Sequence, residues 1–299
     1  MASFKMKFIR WIMKRQMQKP GMTFDGNVDP LKLRKVIEGM AKKQRPVKGV
    51  SFEKDTLNDI EVEMCSPKVI ESDNILVYMH GGGFMVGNAF TSRAYASHLA
   101  SESKMRVYSL TYRLAPEHPF PAGFDDGYNM YKGLLEKYPD NKIFLLGESA
   151  GANLLMTVTL KAKDQGLRLP AGLISYSGPF EFTGTIDRTK YDKTDFTVRP
   201  DVEPLIAKMY LNGADPRNPY ISPTQGDLTG MPPTKLVIDA EETLSDDSRI
   251  YYKKAKEAGV DVEIQEWKGT FHAFPIIGKA SPESYQVLKE TIEFIKRFQ

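Results

Sequence analysis

From about residue 48 onward, short apolar runs alternate with segments whose apolar residues recur every three to four positions. The runs at 60–65, 75–80, 106–112, 143–147, 173–176, 236–239 and 262–267 read as strands. The periodic segments 92–103, 124–137, 150–165, 245–258 and 283–298 read as helices. A strand that is apolar at nearly every position is covered on both faces. Strands separated by helices are joined by crossovers that favour parallel pairing. The pattern therefore predicts an α/β fold with a mostly parallel central sheet and helices on both faces.

Two regions break the rhythm. In 4–17, Phe4, Phe8, Trp11 and Ile12 recur at helical spacing while Lys7, Arg10 and Lys14 lie on another side, and Pro20-Gly21 ends the pattern. A second helical segment covers 30–43. Between 177 and 233 no core strand is evident. That stretch holds polar sequence at 183–197, a short helix at 202–211 and a turn-rich return at 213–231. So long an interruption inside an α/β domain is usually functional, and it reads as an inserted cap. The expected division is 1–47 as the N-terminal part of a cap, 48–178 as the first part of the core, 179–215 as the inserted cap and 216–299 as the rest of the core.

Charge sharpens the contrast. The 299 residues carry a net charge of +3, but residues 1–48 hold 13 Lys/Arg against 3 Asp/Glu, while the rest hold 28 against 35. A basic arm thus precedes an acidic body, and the apolar side of the first helix is expected to dock on that body, over the active-site mouth. No run of 18 apolar residues occurs, and charges interrupt every stretch that could serve as an export signal. A cytoplasmic protein with no nucleic-acid partner and no membrane association is the expectation; oligomeric state is open, a homodimer included. The single cysteine, Cys65, excludes an intrachain disulfide and a multi-cysteine zinc site, and reads as a packing residue.

The strongest chemical signal is Gly147-Glu148-Ser149-Ala150-Gly151, between a strand and a helix. A sharp strand-to-helix turn holds a serine clear of the sheet, and glycines on either side make room for it. His80-Gly81-Gly82-Gly83 ends another strand. Backbone N–H groups of Gly82 and Gly83, with that of Ala150, can face a developing oxyanion; His80 and Gly81 support the loop. A serine nucleophile needs a base held by an acid. Of four histidines, His272 alone follows the last strand in a loop, and chain order then places the acid after 236–239. Glu241, Glu242, Asp246 and Asp247 compete; Asp246 is preferred and Asp247 comes next, with loop geometry deciding. Phe84, Phe180, Phe182 and Tyr210 are candidates for a substrate pocket.

These motifs, with Phe84, Gly87, the stretch 112–122 (YRLAPEHPFPA), Ser222-Pro223 and Glu242-Thr243-Leu244-Ser245-Asp246-Asp247, resemble the hormone-sensitive-lipase-like carboxylesterases of the α/β-hydrolase fold. The resemblance runs from about 75 to 274. It implies a helical cap built from the N-terminus plus an insertion, no metal or organic cofactor, and an acid two residues after Leu244, which again favours Asp246. Many members carry Asp-Pro before that leucine, where this chain has Glu242-Thr243. The implied activity is hydrolysis of short-acyl, small-molecule carboxylic esters by Ser149, His272 and Asp246 through an acyl-enzyme. Two rivals are an interfacial lipase using the basic first helix and a non-catalytic ligand-binding relative.

Overall fold

The computed structural model describes residues 2–19, 22, 25 and 27–299. The expected stop at Pro20-Gly21 lies outside the described residues. Eight strands form one sheet: β1 (Val50–Leu57), β2 (Ile60–Pro67), β3 (Ile75–Met79), β4 (Arg106–Leu110), β5 (Ile143–Glu148), β6 (Gly172–Tyr176), β7 (Thr234–Asp239) and β8 (Val262–Trp267). Their order is β1-β2-β4-β3-β5-β6-β7-β8. The β1–β2 and β2–β4 pairs are antiparallel, and the remaining pairs are parallel. The α/β-hydrolase architecture is thus present, with the helices expected from periodicity on both faces.

β3, β5, β6 and β7 are buried at every position. Two apolar clusters, one on each side of the sheet, account for this: Val77, Leu145 and Leu173 belong to one, Leu76, Leu146 and Ile174 to the other. Alternate residues of one strand thus pack against helices on opposite faces. β1 was absent from the apolar pattern. Its sequence VSFEKDTL mixes exposed and half-buried positions with one buried residue, Leu57, and it holds its place as an edge strand through eight register pairs with β2. Its charged side chains suit an edge that must not recruit another strand.

The helices are α1 (Phe4–Met17), α2 (Pro30–Ala41), α3 (Ala89–Ser103), α4 (Ala122–Lys137), α5 (Ala150–Asp164), α6 (Val202–Ile206), α7 (Ser245–Glu257) and α8 (Pro282–Arg297). Among the described residues none is long and apolar enough to cross a membrane. Between β6 and β7 the described chain contains no strand, only short helical turns, α6 and a wider π-helical turn over Ala207–Leu211.

The first helix corrects an expectation. Ser3 caps α1 and ties it to α8 through Glu283, whose carboxylate accepts from the Ser3 N–H and, at 3.0 Å, from its hydroxyl. The side turned to the body carries Met6, Ile9 and Met13, with Met6 fully buried. Phe4, Phe8 and Trp11 point outward and are 86%, 52% and 49% exposed. The helix holds two apolar stripes, and periodicity could not rank them. Unbranched methionines fill the irregular gap beside the site, while Phe8 and Trp11 stack on each other and Arg15 lies over Trp11.

Candidate active site

Ser149 sits between β5 and α5 with φ 51° and ψ −123°. A non-glycine residue rarely adopts a positive φ, and this one is held there by its surroundings. Its N–H donates to the Tyr176 carbonyl at 2.8 Å, and α5 starts at the next residue. The flanking glycines are required by space. A Cβ at Gly147 would fall 2.5 Å from the Gly151 carbonyl oxygen, and one at Gly151 would fall 2.0 Å from the Met79 carbonyl oxygen.

The loop after β3 lies beside this turn. The Gly81 N–H donates to Glu148 Oε1 at 2.7 Å, so the residue preceding the serine holds the glycine loop. His80 Nδ1 pairs with the Gly81 carbonyl at 2.8 Å, its ring stacks on Tyr112 at 4.3 Å, and the Tyr112 hydroxyl donates to the His80 carbonyl. Burial pushes the His80 pKa down to about 4, so the ring is a neutral brace. Gly82 and Gly83 both have positive φ, and a Cβ at Gly82 would meet the Val86 carbonyl oxygen at 2.2 Å. Among the described residues no acceptor takes the Gly82 or Gly83 N–H. The two glycines and Ala150 line the same cavity as Ser149.

His272 enters that cavity from the loop after β8. Its Nδ1 lies 2.9 Å from Glu242 Oε2. Glu242 is buried, in the loop between β7 and α7. Burial alone would pull the His272 pKa down; the hydrogen bond and charge of Glu242 outweigh it, and the net direction is up. Burial in turn pushes the Glu242 carboxyl up, and the His272 bond draws it back. Of the other histidines, His118 is exposed, His98 packs under Gly278 and His80 braces the loop.

The preference for Asp246 is therefore corrected. Asp246 lies in the first turn of α7, where it forms ion pairs with Lys190 at 2.6 Å and Arg249 at 2.9 Å and accepts from the Tyr191 hydroxyl. Asp247, the second choice, is buried against Arg188 and accepts the Phe180 and Glu181 N–H groups at 2.9 and 3.0 Å. Glu241 is exposed. The helix starts at Ser245, so the two aspartates follow its turn while Glu242 stays in the loop at the mouth of the sheet. The signal for Glu242 was its place, where many relatives carry the Asp of Asp-Pro.

The cavity measures about 260 Å³. Phe84 and Phe182 line it, as do Met13 and Met17 from α1 and Val198, Val202 and Ile206 from the 177–233 stretch. Phe180 and Tyr210 do not, a further correction. Phe180 is fully buried against Tyr251, and Tyr210 stacks behind Phe84 at 3.7 Å. Asp195 was not anticipated. It accepts the Thr243 N–H at 2.9 Å, fastening the long insertion to the loop that carries Glu242. Cys65 is buried in β2, and desolvation pushes its thiol up to about 12.

A strained serine at a strand–helix turn, a histidine on a carboxylate and a glycine loop converging on one cavity define the serine-hydrolase class on an α/β sheet. Residues 76–276 match the alpha/beta hydrolase fold family, and the chain belongs to it, within the hormone-sensitive-lipase-like carboxylesterases. An esterase of Acinetobacter venetianus is 34% identical over 74% of this chain and 74% of its own length. An acetyl-hydrolase of Streptomyces hygroscopicus is 34% identical over 74% and 75%. The crystal structure of an esterase from the bacterial hormone-sensitive lipase family superposes with a TM-score of 0.92 at 29% identity, covering 100% of this chain and 99% of the other. The protein is a carboxylic ester hydrolase.

Proposed function

We propose that the chain hydrolyses short-acyl carboxylic esters through an acyl-enzyme on Ser149, with His272 as general base and acid and Glu242 as the residue that orients it. The observation that carries this reading is the 2.9 Å contact between His272 Nδ1 and Glu242, in a cavity shared with the strained Ser149. With Nδ1–H given to Glu242, Nε2 is left as the basic nitrogen. Ser149 Oγ attacks the ester carbonyl and passes its proton to His272. The N–H groups of Gly82, Gly83 and Ala150 receive the negative charge on the carbonyl oxygen. His272 protonates the departing alcohol, and water then attacks the acyl-enzyme by the same route in reverse. Glu242 stabilises the imidazolium in both halves.

Two features support short acyl chains. The cavity is small, and Met13 and Met17 of α1 form part of its wall together with the 177–233 stretch, so both regions read as one cap. The acetyl-hydrolase relative points the same way. The test is kcat/KM across acetyl to palmitoyl p-nitrophenyl esters, with Ser149→Ala alongside. Loss of a triad member should lower kcat by roughly 10⁴–10⁶ without altering circular dichroism. A Ser149→Ala protein that retained the parent rate would end the mechanism; a maximum at the longest chains, appearing above the solubility limit, would favour an interfacial lipase.

A further inference from the structure

Resting on that reading, we propose that Glu203 is a specificity residue: its carboxylate receives a hydrogen-bond donor, a hydroxyl or an ammonium group, carried by the ester some distance from the scissile bond. Apart from the groups already assigned to the reaction and its glycine loop, the charged side chains lining the cavity among the described residues are Arg188 and Glu203. They differ in how they are satisfied. Arg188 is buried and its two terminal nitrogens are committed: to Asp247, to the Glu181 carbonyl at 2.8 Å and to the Thr243 carbonyl at 3.3 Å. Arg188 is thereby part of the wall and has little left to offer a ligand.

Glu203 has the opposite character. Its ion-pair contact is a long one, Oε2 to Arg188 Nε at 3.6 Å, beyond good hydrogen-bond range. No described residue donates a closer hydrogen bond to it. Arg188 already balances the buried Asp247, so the Glu203 charge is left over. Burial pushes its pKa up, and the Arg188 charge only partly offsets this. The Glu203 side chain is 29% exposed, so water serves its carboxylate when the cavity is empty, and an ester that displaces this water must bring a donor of its own. The same charge disfavours esters carrying a carboxylate, which would place two anions together. Glu203 stands on α6, in the inserted stretch, and not on the strand-end loops that carry Ser149, Glu242 and His272, so the contact is assigned to orienting the ester and not to the reacting atoms.

The experiment compares isosteric ester pairs in the parent, Glu203→Gln and Glu203→Leu. The alcohol side is probed by 3-hydroxypropyl acetate against butyl acetate, and the acyl side by p-nitrophenyl 3-hydroxybutyrate against p-nitrophenyl 3-methylbutyrate. A charged donor is probed by 2-(dimethylamino)ethyl acetate, protonated at neutral pH, against its isostere 3-methylbutyl acetate. The readout is the ratio of kcat/KM within each pair, so a general loss of activity or of folded protein cancels. In at least one pair the parent's ratio should exceed that of Glu203→Leu by roughly tenfold or more, the size expected for a hydrogen bond to a charged group. Glu203→Gln separates the sources: it keeps much of a hydroxyl preference, since the amide oxygen still accepts, and loses a cation preference. Ratios equal in all three proteins for every pair would overturn the assignment. That outcome is distinct from failure of the esterase reading, in which the parent would turn over none of these esters.

Discussion

At the residue scale the decisive contact is His272 with Glu242. Replacing Glu242 by Gln should lower kcat/KM by about 10³–10⁴, because an amide can hold the imidazole in the wrong tautomer. Asp246→Asn should change it by less than about fivefold, since its partners are Lys190, Arg249 and Tyr191 and such part-exposed pairs are worth little. Steady-state kinetics on p-nitrophenyl acetate decides between them; a larger loss at Asp246 would restore it as the orienting acid. The acid limb of kcat/KM should lie above the ordinary histidine value of 6.5, because His272 must be neutral to accept a proton and Glu242 holds its pKa up. In Glu242→Gln that limb should move to lower pH. Glu148 makes a second pH-dependent contribution. Burial pushes its pKa up to about 7, so the folded state holds a proton that the unfolded state has already released. Stability then declines as pH rises from the ordinary value of 4.5 through 7. Glu148→Gln removes that slope while leaving an oxygen to accept the Gly81 N–H. Its Tm should gain on the parent's between pH 5 and pH 8, by the equivalent of up to about 3 kcal/mol. A constant Tm difference across that range would contradict the raised pKa.

At the scale of elements, α1 tests how the cavity is closed. Met13 and Met17 line it, and the aromatic stripe faces away. Met13→Trp should narrow the cavity, lowering kcat/KM for the hexanoyl ester by about tenfold more than for the acetyl ester. Phe8→Ser with Trp11→Ser should leave the selectivity between those two soluble esters within about twofold. If the aromatic pair changes chain-length preference and Met13 does not, the packed side of α1 has been misassigned. Removing the whole helix is a blunter test, because Ser3–Glu283 and the buried Met6 leave with it and the Tm must drop. The same helix shows why periodicity alone misjudged its docked side. A fourteen-residue helix with methionines on one stripe and aromatics on another has two apolar faces, and hydrophobicity ranks the aromatics first.

For the molecule as a whole, the insertion is coupled to the core by buried polar links, two of which carry a charged side chain from the insertion. Asp195 caps the Glu242 loop through the Thr243 N–H, and Arg188 meets Asp247 at the start of α7. Removing one partner of a buried ion pair leaves an uncompensated charge, so Arg188→Met should cost about 3–5 kcal/mol in urea unfolding. Arg188→Lys should recover little of it, because a single ammonium cannot reproduce the paired contacts to Asp247 and the Glu181 carbonyl. A variant as stable as the parent would mean that the insertion is held without the Arg188–Asp247 pair.

The chain by itself determined the alternation of strands and helices, the serine turn, the glycine loop and the loop position of His272 after the last strand. Each of these is local: an apolar period, a pair of glycines where no Cβ fits, a histidine after the last strand. β1 escaped because an edge strand is specified by its neighbour's hydrogen bonds and carries little apolar pattern. Tertiary structure decided which carboxylate among Glu241, Glu242, Asp246 and Asp247 reaches His272. It also decided which stripe of α1 is buried, and that Phe84 and Phe182, rather than Phe180 and Tyr210, face the cavity. The reason is common to all three. Residues a few positions apart are equivalent as sequence, and only the direction each side chain takes once helix, loop and sheet are packed separates the one that meets its partner from those that turn away.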